Sequence, residues 1–372
     1  MTTADGIGLV LVGDVMTGRG IDQILAHPSP PVLYEPYVKS APDYVTLAEN
    51  QNGPIARPVE AAYVWGEALG EIERRRPDAV IVNLETAVTR SDEPEPKGIN
   101  YRMHPDNVAC LTAGGIDCCV LANNHVLDWG EAGLKETLTV LARAGLAVAG
   151  AGLDAEAAAD PTILPLAGGR GRVLVYGFAC PSSGVPLSWA ADAARPGVNL
   201  LRQPSPDAVA PIAERIGRDR RPGDLVVVSI HWGPNWGHEI PDADRAFAHA
   251  LIDAAGVDVV HGHSSHHAKA IEVHNGKPIL YGCGDFINDY EGIGGNAAYR
   301  GDLRLMYALT FVAGSRRLTA LDMVPYKTHR FRLVRPDGAD LAWLTREIGS
   351  RCRRFGGEVS LGADGVLRHS VS

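Results

Sequence analysis

Short apolar runs alternate along the chain with longer stretches whose apolar positions recur every three to four residues. The runs of β type are IGLVLVGD (7–14), AVIVNLE (79–85), CCVLANN (118–124), VLVYGFAC (173–180), DLVVVSIHWG (224–233), VDVVHGH (257–263) and PILYGCGDF (278–286). Between them VWGEALGEIERRR (64–76), GLKETLTVLARAG (133–145), PDAVAPIAERIGR (206–218) and DADRAFAHALIDAAG (242–256) carry the helical period. This alternation predicts an α/β fold with helices on both sides of the β-structure. IEVHNGKPILYG reads as a hairpin through Asn275-Gly276, a type I′ turn dipeptide, and a strand pair within 305–328 adds to the antiparallel part. The stretches 26–58 and 181–204, rich in Pro and Ser, are expected to be irregular, either as lids or as surface loops. No repeat and no shift in composition divides the chain. One domain over 1–372 is expected, with a C-terminal extension from about 329.

Composition narrows the function classes. With 372 residues, 45% hydrophobic side chains and 42 glycines, the chain is globular with a substantial core. The formal net charge of -9 offers no basic footprint for nucleic acid. The start MTTADGIGLVLVGDV has no positive leader before its apolar run, and no stretch reaches the roughly 18 apolar residues of a spanning helix. A cytoplasmic protein with no membrane partner is expected. The six cysteines show no C-x-x-C pattern and are expected to be buried free thiols.

Five of the β-type runs end in residues of metal-ligand or acid/base type. They are Asp14; Asn83 and Glu85; Asn123, Asn124, His125 and Asp128; His231; and His261, His263, His266 and His267. In an open α/β sheet the crevice lies at the carboxyl ends of the strands, so these groups are expected to converge. Taken singly, an Asp after a strand is commonly a helix N-cap and a His beside apolar residues is commonly structural. Five in strand order point to a functional crevice, because unpaired buried carboxylates and imidazoles are costly. His125 and Asp128, three apart, share a face if NNHVLDWG opens a helix, and the carboxylate would then fix the imidazole tautomer. Asp285 is placed to pair similarly with a histidine of 261–267; the alternatives are a surface Asp128 and a turn-capping Asp285.

The ordered series GD, NLE, NNH, HWG, a His-rich GH segment and YGCGDF resembles the CapA-like family of poly-γ-glutamate proteins, which is related to calcineurin-like metallophosphoesterases. The resemblance covers about residues 7 to 325 and implies a calcineurin-like, four-layer α/β/β/α sandwich with mixed sheets and a metal site at the strand ends. It implies metal binding by Asp14, Glu85, Asn124, His231 and His266, with His125 as acid/base group. Two departures change the expected ion. The phosphoesterase D-x-H is Asp14-Val15-Met16 here, and GHxH has become Gly262-His263-Ser264-Ser265-His266. Asp14, Glu85 and Asn124 then leave an oxygen-rich set, for which one Ca²⁺, Mn²⁺ or Mg²⁺ ion is expected rather than Zn²⁺, without an organic cofactor.

Three reactions fit. A metal-dependent hydrolase of the family would cleave a phosphoester or amide. A non-enzymatic capsule-assembly component would bind an acidic polymer. The third is proton transfer at carbon, and HGHSSHH with YGCGDFINDYEG resembles the lasso-peptide epimerases that invert the C-terminal tryptophan of a ribosomally made precursor. That resemblance implies a metal-dependent peptide epimerase acting on the C-terminal segment of a precursor peptide. Its catalytic groups would be His125, Asp128, His263, Asp285 and Asp14, with the cation stabilising an enediolate-like intermediate. An aromatic substrate residue would need a pocket, for which Trp129, Trp232 and Trp236 are candidates, and its carboxylate a cation such as Arg19, Arg102 or Lys269. Epimerisation is the leading expectation, with hydrolysis or a role in poly-γ-glutamate biosynthesis as the alternative.

Overall fold

Two β-sheets lie face to face, and the reason is written in the alternation of the central strands. In Arg172–Ala179 and Leu225–His231 the odd-numbered Val173, Val175, Leu225 and Val227 join the core shared with the first sheet. The even-numbered Leu174, Tyr176, Val226, Val228 and Ile230 join a separate core under the helices Val209–Asp219 and Asp242–Asp253. A strand apolar on both faces has to be covered twice, by a sheet on one side and helices on the other. The computed structural model, which describes residues 6–371, shows this layering.

The first sheet has ten strands, ordered Val359–Leu361, Leu367–His369, Leu318–His329, Leu303–Val312, Gly6–Val15, Ala79–Leu84, Cys118–Val120 and Ala147–Ala149. Asp285–Ile287 pairs beside the end of Gly6–Val15, and Arg332–Val334 pairs with Leu318–His329. The second has six, ordered Ile271–His274, Lys277–Leu280, Val259–His263, Leu225–His231, Arg172–Ala179 and Thr162–Pro165. Its inner four strands are parallel and both edges antiparallel. Helices Ala68–Arg75 and Gly130–Arg143 pack on the first sheet through Ile72, Leu134 and Leu141. The result is the mixed-sheet α/β/β/α sandwich that the family resemblance implied.

The hairpin forms where Asn275-Gly276 predicts it, with φ of 49° and 73° at the two turn residues. The region 26–58, read as irregular, contains the helix Pro42–Asn52, whose weak amphipathic pattern hid it from a periodicity argument. The segment after 329 is integral: it supplies three strands of the first sheet, and the helix Gly338–Cys352 adds Leu344 and Ile348 to the main core. All six cysteines are buried and free. Among the described residues, no helix is long and apolar enough to cross a membrane.

The sheets touch closely near the cleft. A β-carbon on Gly177 would lie 2.8 Å from the Gly150 α-carbon, so both positions need glycine for the backbones to approach. A β-carbon on Gly13 would collide with the Gly284 carbonyl, the group that accepts from the Asp14 backbone N–H at 3.1 Å. Glycine before Asp14 therefore permits Asp285–Ile287 to lie beside it.

Candidate functional site

Strand register brings the polar ends together. Asp14 pairs in register with Asn83 on one side and Asp285 on the other, while His231 and His263 pair across adjacent parallel strands of the second sheet. By period two, Ser229, His231, His261 and His263 occupy the odd positions that face the first sheet. A buried centre results, with Asp14 in the middle. Asp14, His231 and His263 offer ligand atoms within 4.8 Å of one another, and Asp14, His266 and Asp285 form a second such group.

Asp14 Oδ1 accepts from Asn83 Nδ2 at 2.7 Å, and Oδ2 from the Ser264 N–H at 3.3 Å. Ser264 makes this contact with a φ of 97°, a strained turn directly after His263 that leads the chain on to His266. Asn83 also reaches Glu85 Oε2 at 3.3 Å. Burial and the charge of Asp285 push the Asp14 carboxyl up to about 7. Burial, Asp14 and Asp285 push Glu85 well above the usual carboxylate range. Three carboxylates thus crowd one buried space with too little positive charge. Burial alone would lower His266, but Asp285 at 2.8 Å more than offsets it and holds the imidazole above its ordinary value.

The imidazoles on the other side show the complementary deficit, with tautomers assigned from their partners. His261 Nε2 lies 2.9 Å from the Val12 carbonyl, which only accepts, so Nε2 carries the proton and Nδ1 is bare. The Ser229 hydroxyl, 3.0 Å away, donates its single hydrogen to that Nδ1. His263 Nε2, 2.9 Å from the same oxygen, must then donate, which leaves His263 Nδ1 bare. His231 Nε2 likewise donates to Asn124 Oδ1 at 3.0 Å. Two bare Nδ1 atoms therefore face each other at 2.8 Å. Burial holds both rings well below their ordinary value, so neither is protonated near neutrality. Facing lone pairs beside crowded carboxylates are a donor set that a divalent cation satisfies.

The acid/base pair also forms. His125 Nδ1 lies 2.6 Å from Asp128 Oδ2, and His125 Nε2 is 3.6 Å from Glu85 Oε1. The pair is made in a turn ahead of the helix Gly130–Arg143, not on the helix expected over NNHVLDWG, because Asn123 Oδ1 captures the His125 N–H at 3.0 Å. Asp128 is further fixed by the Tyr101 N–H at 2.6 Å and Lys97 Nζ at 2.7 Å. Burial brings His125 down to about 4, partly countered by Asp128. On the far side, Asn288 Nδ2 holds Asp285 Oδ2 at 2.6 Å, and Arg304 Nη2 holds Asn288 Oδ1 at 2.7 Å.

Several expectations need correction. His263, read as a catalytic group, lies at the sheet interface with Nε2 donating to Ser229 and its bare Nδ1 facing His231, among the candidate donors. Trp232, read as a pocket wall, is a core residue whose Nε1 donates to the Tyr281 carbonyl at 3.0 Å. Arg102 and Trp129 pack on each other, guanidinium to ring centroid 3.9 Å, with Arg102 held by the Ser91 carbonyl and Asp92. Lys269 is buried next to Asp244, and its amine is lowered by burial. Arg19 is a strut, 2.8 Å from Glu35 and 3.1 Å from Asp289. A cavity of about 620 Å³ adjoins the centre at His266 and Asp285; none of these six residues lines it, whereas Trp236, Tyr290, Arg300, Arg304 and Lys327 do. His267 leaves the centre and packs in an aromatic cluster with Trp236 and Tyr299, stacking on Tyr299 at 4.5 Å between centroids. Lys97, Tyr101, Asn288 and Arg304 carried no sequence signal, since they reach the centre from loops or from a distant strand.

Residues 8–290 match the family model described as bacterial capsule synthesis protein PGA_cap. A probable polyglutamine synthesis accessory protein of Mycobacterium tuberculosis is 48% identical over 98% of this chain and 96% of its own. The PGA biosynthesis protein CapA of Bacillus subtilis is 31% identical over 58% of this chain and 54% of its own. Among solved structures, one described as a novel phosphatase of Mycoplasma pneumoniae aligns with 90% of this chain and 96% of that one, at 12% identity and a TM-score of 0.48. None of these descriptions includes peptide epimerisation, so that expectation gains nothing from the relatives. The family match spans every strand end that builds the centre, and the chain is a member of the bacterial capsule synthesis protein family PGA_cap.

Proposed function

We propose that the protein is a metal-dependent hydrolase that cleaves amide bonds in a glutamyl polymer, as part of the polymer synthesis named in its relatives. The observation that carries the reading is the buried centre, where unmatched carboxylates and facing imidazole lone pairs lie next to an oriented His–Asp pair. Asp14, His231 and His263 would hold one cation, and Asp14, His266 and Asp285 have the composition to hold another, with Glu85 and Asn124 close by. Three imidazoles and two carboxylates form a mixed set that suits Mn²⁺ better than Ca²⁺. When bound, the ion would polarise the scissile carbonyl and lower the pKa of attacking water.

The protein's own groups do the rest. Asp128 accepts from His125 Nδ1–H, so the bare Nε2 faces the centre and can take the proton of the attacking water and return it to the leaving nitrogen. Lys97 and the Tyr101 N–H keep Asp128 in position, and the Tyr101 ring meets the imidazole edge-on at 4.4 Å. The neighbouring cavity offers room for an extended chain, and its lining mixes Arg300, Arg304 and Lys327 with Asp285, Glu291 and Asp302.

A second reading, Cα epimerisation, keeps one specific support: two His–carboxylate pairs, His125–Asp128 and His266–Asp285, border the same centre. One experiment separates them. Mn²⁺-loaded protein is incubated with poly-γ-glutamate in D₂O, and products are read by size, amine titration and mass. Hydrolysis predicts shorter chains and new amines, lost in His125→Ala and lowered about 10²- to 10⁴-fold in Asp128→Asn. Cα deuteration without new amines would replace it by epimerisation, and no change in either would overturn the enzymatic reading for this polymer.

A further inference from the structure

A separate group of metal-type donors lies at the other end of the second sheet. His249 and Asp253 stand one turn apart on the helix Asp242–Asp253, and Glu272 and His274 stand two apart on Ile271–His274, so each pair shares a face by periodicity. Packing of the helix against the hairpin brings the pairs together. His249 Nε2 is 3.0 Å from Glu272 Oε1, and His274 Nε2 is 2.9 Å from Asp253 Oδ2. Ligand atoms of His249, Glu272 and His274 fall within 4.8 Å of one another. His274 pairs with Lys277, at the amino end of a strand that runs parallel to Val259–His263. The centre around Asp14 lies at the carboxyl ends.

We propose that His249, Glu272 and His274, with Asp253 beside His274, form a second and structural site for a Zn²⁺-class cation that ties the helix to the hairpin. The donor chemistry fits: two imidazoles and one carboxylate leave a fourth position for water, the set that zinc accepts with tetrahedral geometry. Arg245 at 2.8 Å and the Tyr281 hydroxyl at 2.7 Å hold the Glu272 carboxylate in place beside the two imidazoles. Asp253 has no Lys or Arg partner among the described residues and accepts only from His274 and Asn275, so its charge is open to a cation.

The backbone geometry is fixed before any ion arrives. His274 precedes the type I′ turn, and His249 and Asp253 are held by the helix, so only side-chain torsions need adjusting. The two rings stack at 3.8 Å between centroids and 8° between planes. An ion shared in both ring planes requires the imidazoles to turn out of this stack. With side-chain exposures of 25% for His249 and 21% for His274, they turn at the surface without opening the core.

The test uses metal-stripped full-length protein titrated with Zn²⁺ against a chromogenic chelator, with Co²⁺ absorption as a report on geometry. The expected result is that His249→Ala/His274→Ala loses one equivalent of bound ion and the matching part of the Zn²⁺-induced rise in Tm. Asp253→Asn, isosteric and at the surface, should weaken that equivalent at least tenfold, while Asp14→Asn should leave it intact. Circular dichroism of each variant checks folding. Equal stoichiometry in the double variant and the parent would overturn the site, as would loss of every equivalent in Asp14→Asn.

Discussion

Asp14 illustrates how one residue gathers several constraints. Its backbone N–H is bound by Gly284, its two oxygens by Asn83 and Ser264, and both candidate ion groups include it. A carboxyl raised from 3.8 to about 7 binds its proton more tightly folded than unfolded. Stability of the metal-free protein should therefore fall as pH rises from about 4 to about 7, since the folded state gives up that proton only at a cost. A bound cation should cancel this slope, and thermal denaturation across that pH range, with and without Mn²⁺, checks both signs. At this scale the chain was partly legible. The His125–Asp128 pair followed from spacing, even though a turn and not a helix makes it. Lys97 and Tyr101 were not legible, because a loop distant in sequence returns them to Asp128. Trp129 and Trp232 were misread for a related reason: proximity to a motif in sequence does not say which face of the strand end a large ring takes, and burial drew Trp232 into the core while Trp236 lines the cavity.

Among the elements, register decides the outcome. The pairing of His231 with His263 and of Asp14 with both Asn83 and Asp285 would be lost by a one-residue slip, which would turn every side chain to the opposite face. The close crossing of Gly150 and Gly177 holds the two sheets at the distance that lets imidazoles from one meet carboxylates from the other. Gly177→Ala should destabilise the protein by about 1–3 kcal/mol through overpacking. Because the added carbon pushes the sheets apart, metal affinity should fall as well, read by chelator competition on the still-folded variant. A lowered Tm with unchanged affinity would show that the crossing sets stability and not the centre. The strands and the amphipathic helices were readable, because period two and period 3.6 are local signals. The helix Pro42–Asn52 was not, because its burial depends on a loop-rich neighbourhood and its own pattern is weak.

For the whole molecule, the centre sits between the two sheets, which meet there through a shared core, the candidate donors and contacts such as His261 Nε2 to the Val12 carbonyl. Chelation should therefore lower Tm and increase hydrogen exchange at the strand ends 261–266 and 285–288 ahead of the sheet interiors, which exchange mass spectrometry resolves. The seven β-type runs and the four amphipathic helices between them, the hairpin at Asn275-Gly276, the buried cysteines and the set of polar strand ends were determined by sequence alone. Each is set by local periodicity, turn chemistry or the cost of leaving apolar surface in water. Which strands joined which sheet was decided only in three dimensions, as were the place of His263 among the donors, the cavity beside His266 and the meeting of His249 with His274. These depend on side chains far apart in the chain reaching the same few ångströms, a distance that no local pattern encodes.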